Sequence, residues 1–89
     1  MGDHDRNNPS LTLYGTWWCF PCRIVKAELE KAGIPYRYID LDKDGEAAET
    51  VVKITGGYRS VPTLVFPDGS ILVEPGTEEL KAKLTELTS

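Results

Sequence analysis

Thr16-Trp17-Trp18-Cys19-Phe20-Pro21-Cys22 holds both cysteines of the chain, with two residues between them. A short run with strand character, Leu11-Thr12-Leu13-Tyr14, precedes it, and a helical pattern follows. A C-x-x-C at a strand-to-helix junction points to a dithiol–disulfide redox site. Residues three apart at the start of a helix share a face, so the two sulfurs can approach bonding distance. The first cysteine then stands beside unpaired backbone N–H groups and the positive end of the helix dipole. Both favour a thiolate, the attacking species in disulfide exchange. Pro21 falls near the first helical position, where its missing N–H costs little.

The helix pattern separates the two sulfurs. Cys22, Val25, Leu29 and Ala32 form one apolar stripe, so Cys22 is expected to face the core. Cys19 lies ahead of the stripe and is expected to be the exposed nucleophile, with Cys22 as the covered resolving thiol. Three plainer explanations compete. An ordinary buried pair fits poorly with Trp-Trp before and Phe-Pro between. A zinc site lacks a second C-x-x-C, and the one histidine, His4, lies in a polar stretch. A purely structural disulfide gains little from closing so short a loop.

The chain has 89 residues, a length that predicts one domain with a modest core. Its net charge of −4 argues against nucleic acid or an anionic membrane as the main partner. No apolar run approaches the length of a membrane span. The opening Met-Gly-Asp-His-Asp-Arg-Asn-Asn-Pro has no signal-peptide apolar core, so a reducing cytoplasm is the expected compartment.

Residues 1–10 are expected to be a flexible tail, and 11–89 the folded domain. After the first strand, a helix is predicted from Cys19 or Phe20 to Ala32, closed by Gly33 and stopped by Ile34-Pro35. Lys26 and Glu30 are spaced to pair on its solvated side. Tyr36 to Leu41 is a second strand, parallel to the first through a right-handed β-α-β unit. Glu46 to Ile54 is a shorter helix with Ala48, Val51, Val52 and Thr55 on one side, broken by Gly56-Gly57. A third strand starts at Pro62, where proline is tolerated. Pro67-Asp68-Gly69 turns the chain into a returning strand, Ser70 to Val73. Thr77 is placed to cap the last helix, with Leu80, Leu84 and Leu87 as its buried stripe. The order β-α-β-α-β-β-α gives an α/β fold, a four-stranded mixed sheet with helices on both faces.

Trp18-Cys19-Phe20-Pro21-Cys22, then Ser60-Val61-Pro62, then Phe66-Pro67-Asp68-Gly69 resembles the glutaredoxin branch of the thioredoxin superfamily. Within that branch, Thr16-Trp17-Trp18-Cys19, Gly56-Gly57-Tyr58-Arg59-Ser60-Val61-Pro62 and Pro75-Gly76-Thr77-Glu78-Glu79-Leu80 look most like mycoredoxins and related actinobacterial-type proteins. The resemblance implies the minimal thioredoxin fold, with Cys19 as nucleophile and Cys22 as resolving thiol. It implies that Pro62 is the family's cis-proline, with Val61 offering its backbone N–H and C=O to a bound cysteinyl group. Trp18, Phe20 and Pro21 would rim the substrate groove, and Arg59 and Ser60 would stand beside it, Arg59 to attract a carboxylate. The chain also departs from the branch. Thr16 stands where glutathione-dependent members often carry a lysine or arginine, and Val73-Glu74-Pro75-Gly76-Thr77-Glu78 replaces a Gly-Gly-acidic segment. The resemblance therefore implies no tightly bound cofactor but a low-molecular-weight thiol as co-substrate: mycothiol, bacillithiol or glutathione.

The activity so implied is thiol–disulfide exchange on disulfide-containing or thiolated proteins, by a monomer. Two alternatives are a thioredoxin-like donor recharged by a thioredoxin- or mycothione-type flavoprotein reductase, and a dimer carrying an iron–sulfur cluster. No nucleic acid, membrane or protein-held metal is expected.

Overall fold

The structure is a computed structural model and describes residues 11–88. The tail expected over residues 1–10, with His4, lies outside the described residues. In chain order the elements are β1 (Thr12–Gly15), α1 (Phe20–Lys31), β2 (Arg37–Asp40), α2 (Gly45–Thr55), β3 (Thr63–Val65), β4 (Ile71–Val73) and α3 (Thr77–Thr88). The strands form one sheet in the order β2-β1-β3-β4. β1 runs parallel to β2, and the β1–β3 and β3–β4 pairs are antiparallel. This is the mixed α/β sheet expected from the sequence.

The alternation of β1 divides the core. Leu13, paired with Leu64 of β3, faces Val25 and Leu29 of α1 and Leu80 and Leu84 of α3. Leu11 and Phe66 complete that cluster. Tyr14 turns to the opposite face, where Ile39 and Leu41 meet Ala47 and Val51 of α2. Two helices therefore cover one face and one covers the other. Burial of each such aliphatic side chain contributes roughly 1.5–3 kcal/mol.

Backbone chemistry closes the helices where glycine stands. At the end of α1, Ile34 N–H donates to Leu29 C=O at 3.0 Å, and Gly33 takes φ +71°. A left-handed residue there satisfies carbonyls that the helix leaves open. Asp44 caps α2 by accepting from Ala47 N–H at 3.0 Å, and Gly56 ends it at φ +82°.

Several local expectations fail for identifiable reasons. Ala32 is not part of the buried stripe: it is the C-cap of α1 and is exposed, because the helix ends before that face returns to the core. In α2 the buried pair is Ala47 and Val51, with Ala48, Val52 and Thr55 only partly covered. Val51 is buried as expected, and Ala47, four residues earlier on the same face, takes the second buried place. Thr77 is already the first residue of α3 rather than its cap. Lys26 and Glu30 do not pair with each other. Lys26 Nζ lies 3.6 Å from the centroid of the Tyr38 ring, and Glu30 accepts from the Tyr36 hydroxyl at 2.8 Å. Leu80 and Leu84 are buried as expected, with Leu87 packed at the margin.

Candidate active site

Parallel β1 and β2 both end at one edge of the sheet, and antiparallel β3 begins there. Three loops meet at that edge: the turn from β1 into α1, the turn after β2, and the approach to β3.

The first loop carries the cysteines. Cys19 is the N-cap of α1, with extended backbone, and its Sγ accepts from Cys22 N–H at 3.2 Å. Cys19 N–H in turn donates to Thr16 C=O at 3.2 Å. Pro21 lies in the first turn, where no backbone donor is lost. Cys19 and Cys22 are joined as a disulfide across a Cα–Cα distance of 5.2 Å. The expectation that Cys19 stands exposed is not met in this oxidised form. Cys19 is 4% exposed and Cys22 2%. As N-cap, the Cys19 side chain turns inward over the helix start and bonds the sulfur below it, so being ahead of the stripe does not leave it open.

Gly15 makes room for that pair. A Cβ there would stand 2.8 Å from Cys22 Sγ and 3.2 Å from Tyr38 Cε1. Any larger residue at the end of β1 would displace the sulfur or the ring.

A small cavity of about 130 Å³ is lined by Thr16 and Trp18 of the cysteine loop together with Leu41, Asp42, Arg59 and Val61; neither cysteine is part of its lining. The Thr16 hydroxyl is buried and has no hydrogen-bond partner. Asp42 joins the three loops. It accepts from Trp18 Nε1 at 2.8 Å and pairs with Arg59 Nη2 at 3.5 Å. The same Arg59 nitrogen reaches Leu41 C=O at 3.4 Å. Arg59 lines this cavity, with Asp42 as its carboxylate partner. The pair is half exposed, a setting in which ion pairs contribute about 0–1 kcal/mol.

The Val61–Pro62 peptide bond is cis, as the resemblance implied. Pro62 is buried, and its C=O accepts from Glu74 N–H at 2.8 Å, which ties the proline to the end of β4. Ser60 is outside the cavity lining: its C=O accepts from the Thr63 hydroxyl at 2.8 Å and fixes the turn into β3. Phe20 and Pro21 are exposed and outside the lining as well. Phe20 instead joins Trp17, Trp18 and Tyr58 among the exposed large apolar side chains. A larger cavity, about 400 Å³ between α1 and α3, is lined by Glu28, Lys31, Ala32, Lys81, Leu84 and Thr85 and holds no sulfur.

The structure joins Cys19 to Cys22 and gathers Trp18, Arg59 and Val61 around one cavity. It adds Gly15, Asp42, Leu41 and Tyr38, none of which the sequence pattern singled out, and gives Thr16 a buried place. A glycine closing a strand just before a C-x-x-C is the one signal that pointed to Gly15. Asp42 carried no signal, because its partners are 24 and 17 residues away.

A disulfide at a helix start, with a cis-proline at the entry to β3 of a four-stranded mixed sheet, marks a thioredoxin-fold dithiol protein. The glutaredoxin family model matches residues 11–71. The chain is 42% identical over 78 residues to a glutaredoxin of Mycobacterium tuberculosis, covering 88% of this chain and 93% of that one. It is 38% identical over 78 residues to mycoredoxin 1 of Corynebacterium glutamicum, covering 88% and 96%. Among solved structures it is similar to a thioredoxin-like protein, with a TM-score of 0.72 and 31% identity over 83% of this chain and 97% of that one. The chain belongs to the glutaredoxin family and is a thiol–disulfide oxidoreductase.

Proposed function

We propose that the protein reduces mixed disulfides between proteins and a low-molecular-weight thiol, in the manner of a mycoredoxin. Cys19 thiolate attacks the small-thiol sulfur of the mixed disulfide. The protein thiolate leaves, takes up a proton, and is reduced, while the small thiol stays on Cys19. Cys22 then attacks Cys19 Sγ and expels the small thiolate, or a second small thiol attacks the sulfur of the bound one, forming the small-molecule disulfide and freeing the Cys19 thiolate. The observation that carries this reading is the helix start itself: Cys22 N–H donates to Cys19 Sγ at 3.2 Å, the donor that a Cys19 thiolate needs. Val61 on the cavity wall supports pairing with a substrate cysteinyl backbone.

Similarity to mycoredoxin 1 supports mycothiol as the small thiol. So does the pocket, whose one guanidinium is held by Asp42 and whose other polar wall is a hydroxyl. A monomer working in the cytoplasm fits this chemistry. The exposed apolar rim supports a second reading, direct reduction of protein disulfides by a donor recharged from a flavoprotein reductase. One assay separates the two. A single protein mixed disulfide is offered with glutathione, mycothiol, bacillithiol or a thioredoxin reductase in turn. Turnover is expected with mycothiol. Turnover with the reductase alone would replace the first reading by the second.

A further inference from the structure

Among the residues lining the cavity of about 130 Å³, Asp42 and Arg59 are the charged ones, and they are paired with each other. Both are held from behind. Leu41 N–H donates to Gly15 C=O at 2.9 Å and Asp42 N–H donates to Asp40 Oδ1 at 2.8 Å, so the turn after β2 is tied to the end of β1 and to its own strand. On the other side, Tyr58 N–H donates to Thr55 Oγ1 at 3.0 Å, and the Thr55 hydroxyl donates back to Tyr58 C=O at 2.6 Å, which anchors the Arg59 loop to the end of α2. Asp42 Oδ2 accepts from Trp18 Nε1 at 2.8 Å, and Asp42 Oδ1 faces Arg59 Nη2 at 3.5 Å. The carboxylate therefore bridges the cysteine loop and the guanidinium, one oxygen to each. Both side chains remain open to an incoming molecule, Arg59 56% exposed and Asp42 36%.

This pairing changes what the cavity can recognise. A guanidinium has five N–H donors, and Asp42 meets only one of its nitrogens, so donors remain. What Asp42 removes is the net positive charge. A wall with donors and no net charge suits hydroxyls and amide carbonyls. To an incoming carboxylate it offers attraction from Arg59 and repulsion from Asp42 at close range. We infer that Asp42 is a specificity-determining residue: it cancels the charge of Arg59 and so selects small thiols without a carboxylate over those that carry one. The indole N–H of Trp18 fixes the carboxylate where it does this. Discrimination by a repulsive element is a common way to reject a near relative of the right ligand. For one point, that the small thiol lies against Val61 in this cavity, this rests on the proposed function.

The test uses two probes of nearly equal size that differ in charge, the disulfide of N-acetylcysteine and the disulfide of its methyl ester. In the reduced Cys22→Ser protein, Cys19 thiolate attacks one probe sulfur. A bond forms between Cys19 Sγ and that sulfur, the probe S–S bond breaks, and the second probe thiolate leaves with the electron pair and takes a proton from water. Adduct formation is timed by mass spectrometry, and the rate with the acid is divided by the rate with the ester. The ester rate carries any change in Cys19 reactivity or in folding, so the ratio reads charge.

Asp42→Asn keeps an oxygen for the Trp18 N–H and should raise the ratio about five-fold, the effect of one unit charge at about 4 Å in water. Arg59→Ala leaves Asp42 unopposed and should lower the ratio by a similar factor. The double variant should return to the parent value, because its wall is again uncharged. Glu28→Gln, near the far end of α1, should leave the ratio as it is. A ratio unmoved by Asp42→Asn overturns the inference. So does a ratio that stays raised in the double variant, since Arg59 would then have no part in it, and so does an equal rise in Glu28→Gln, since net charge would then set the preference. The probes need neither mycothiol nor a reductase. Turnover with mycothiol beside an unmoved ratio would sink the inference and leave the proposed function standing.

Discussion

A methyl group added at Gly15 would stand 2.8 Å from Cys22 Sγ, closer than side-chain carbons are found to approach. Gly15→Ala should therefore destabilise the oxidised protein by roughly 1–3 kcal/mol, the usual effect of overpacking, as read from urea unfolding. A change below about 0.5 kcal/mol would mean that the sulfur moves aside freely. The two cysteines separate by a different experiment. Cys19→Ser should abolish activity. Cys22→Ser should still reduce mixed disulfides and should collect one small-thiol adduct, on Cys19, seen by mass spectrometry. Equal loss in both variants would indicate an obligatory dithiol route. Arg59→Ala should leave stability within about 1 kcal/mol, because its partner Asp42 is part exposed. Its expected signature is a raised KM for the small thiol with kcat little changed, since uniform binding is lost. At this scale the sequence was legible where the signal is local, as with the pairing of Cys19 and Cys22 and the cis bond before Pro62. It was silent on Asp42, whose bonds to Trp18 and Arg59 only folding supplies.

Helix ends and turns were the most legible elements, because their signals are local. Gly33 and Gly56 adopt the left-handed backbone that their positions called for. Which face a short helix buries was less legible. The α2 stripe was misplaced because its cap, Asp44, lies in a polar run where several residues can serve. Asp44→Ala should lower stability by about 1 kcal/mol through loss of the Ala47 N–H bond, measurable by urea unfolding. The hairpin turn gives a pH-dependent counterpart. Asp68 accepts from the Ser70 hydroxyl at 2.6 Å and the Ser70 N–H at 2.9 Å, and Lys83 approaches at 3.2 Å. Those contacts, the Ser70 hydroxyl foremost, lower its carboxyl from 3.8 to about 2. A depressed carboxylate binds its proton more readily in the unfolded chain. Its contribution is therefore complete above pH 4 and is lost as pH falls toward 2. Asp68→Asn should flatten that part of the stability–pH curve and leave the curve near neutrality parallel to the parent. An unchanged acid limb would show that the turn contacts do not persist in solution.

Across the whole molecule the sheet fixes what the site can be. Two strands ending and one beginning at the same edge bring three loops together, and the first of them carries the disulfide. The cavity there is small, about 130 Å³, and its guanidinium and carboxylate offset each other. The chain carries net charge −4, so long-range attraction of an acidic partner is not available to it. What the active edge offers a protein substrate is apolar area, with Trp17 68%, Trp18 58% and Phe20 69% exposed. Trp18 is held by Asp42, which leaves Trp17 and Phe20 as the side chains without a hydrogen bond to fix them. Aromatic side chains of this kind contribute most when a partner covers them. Replacing Phe20 by Ser should therefore raise KM for a protein mixed disulfide by about three- to ten-fold, a fraction of the 1.5–3 kcal/mol gained by full burial. KM for a small mixed disulfide, which needs only the cavity and Val61, should stay within two-fold, roughly the 0.5 kcal/mol scatter of neutral surface changes. Because the contact is apolar, the protein-substrate KM should also vary little between about 0.05 and 0.5 M salt. A steep salt dependence would show that charge governs docking. Equal loss on small and protein substrates would place Phe20 in the chemistry of the disulfide rather than at its rim.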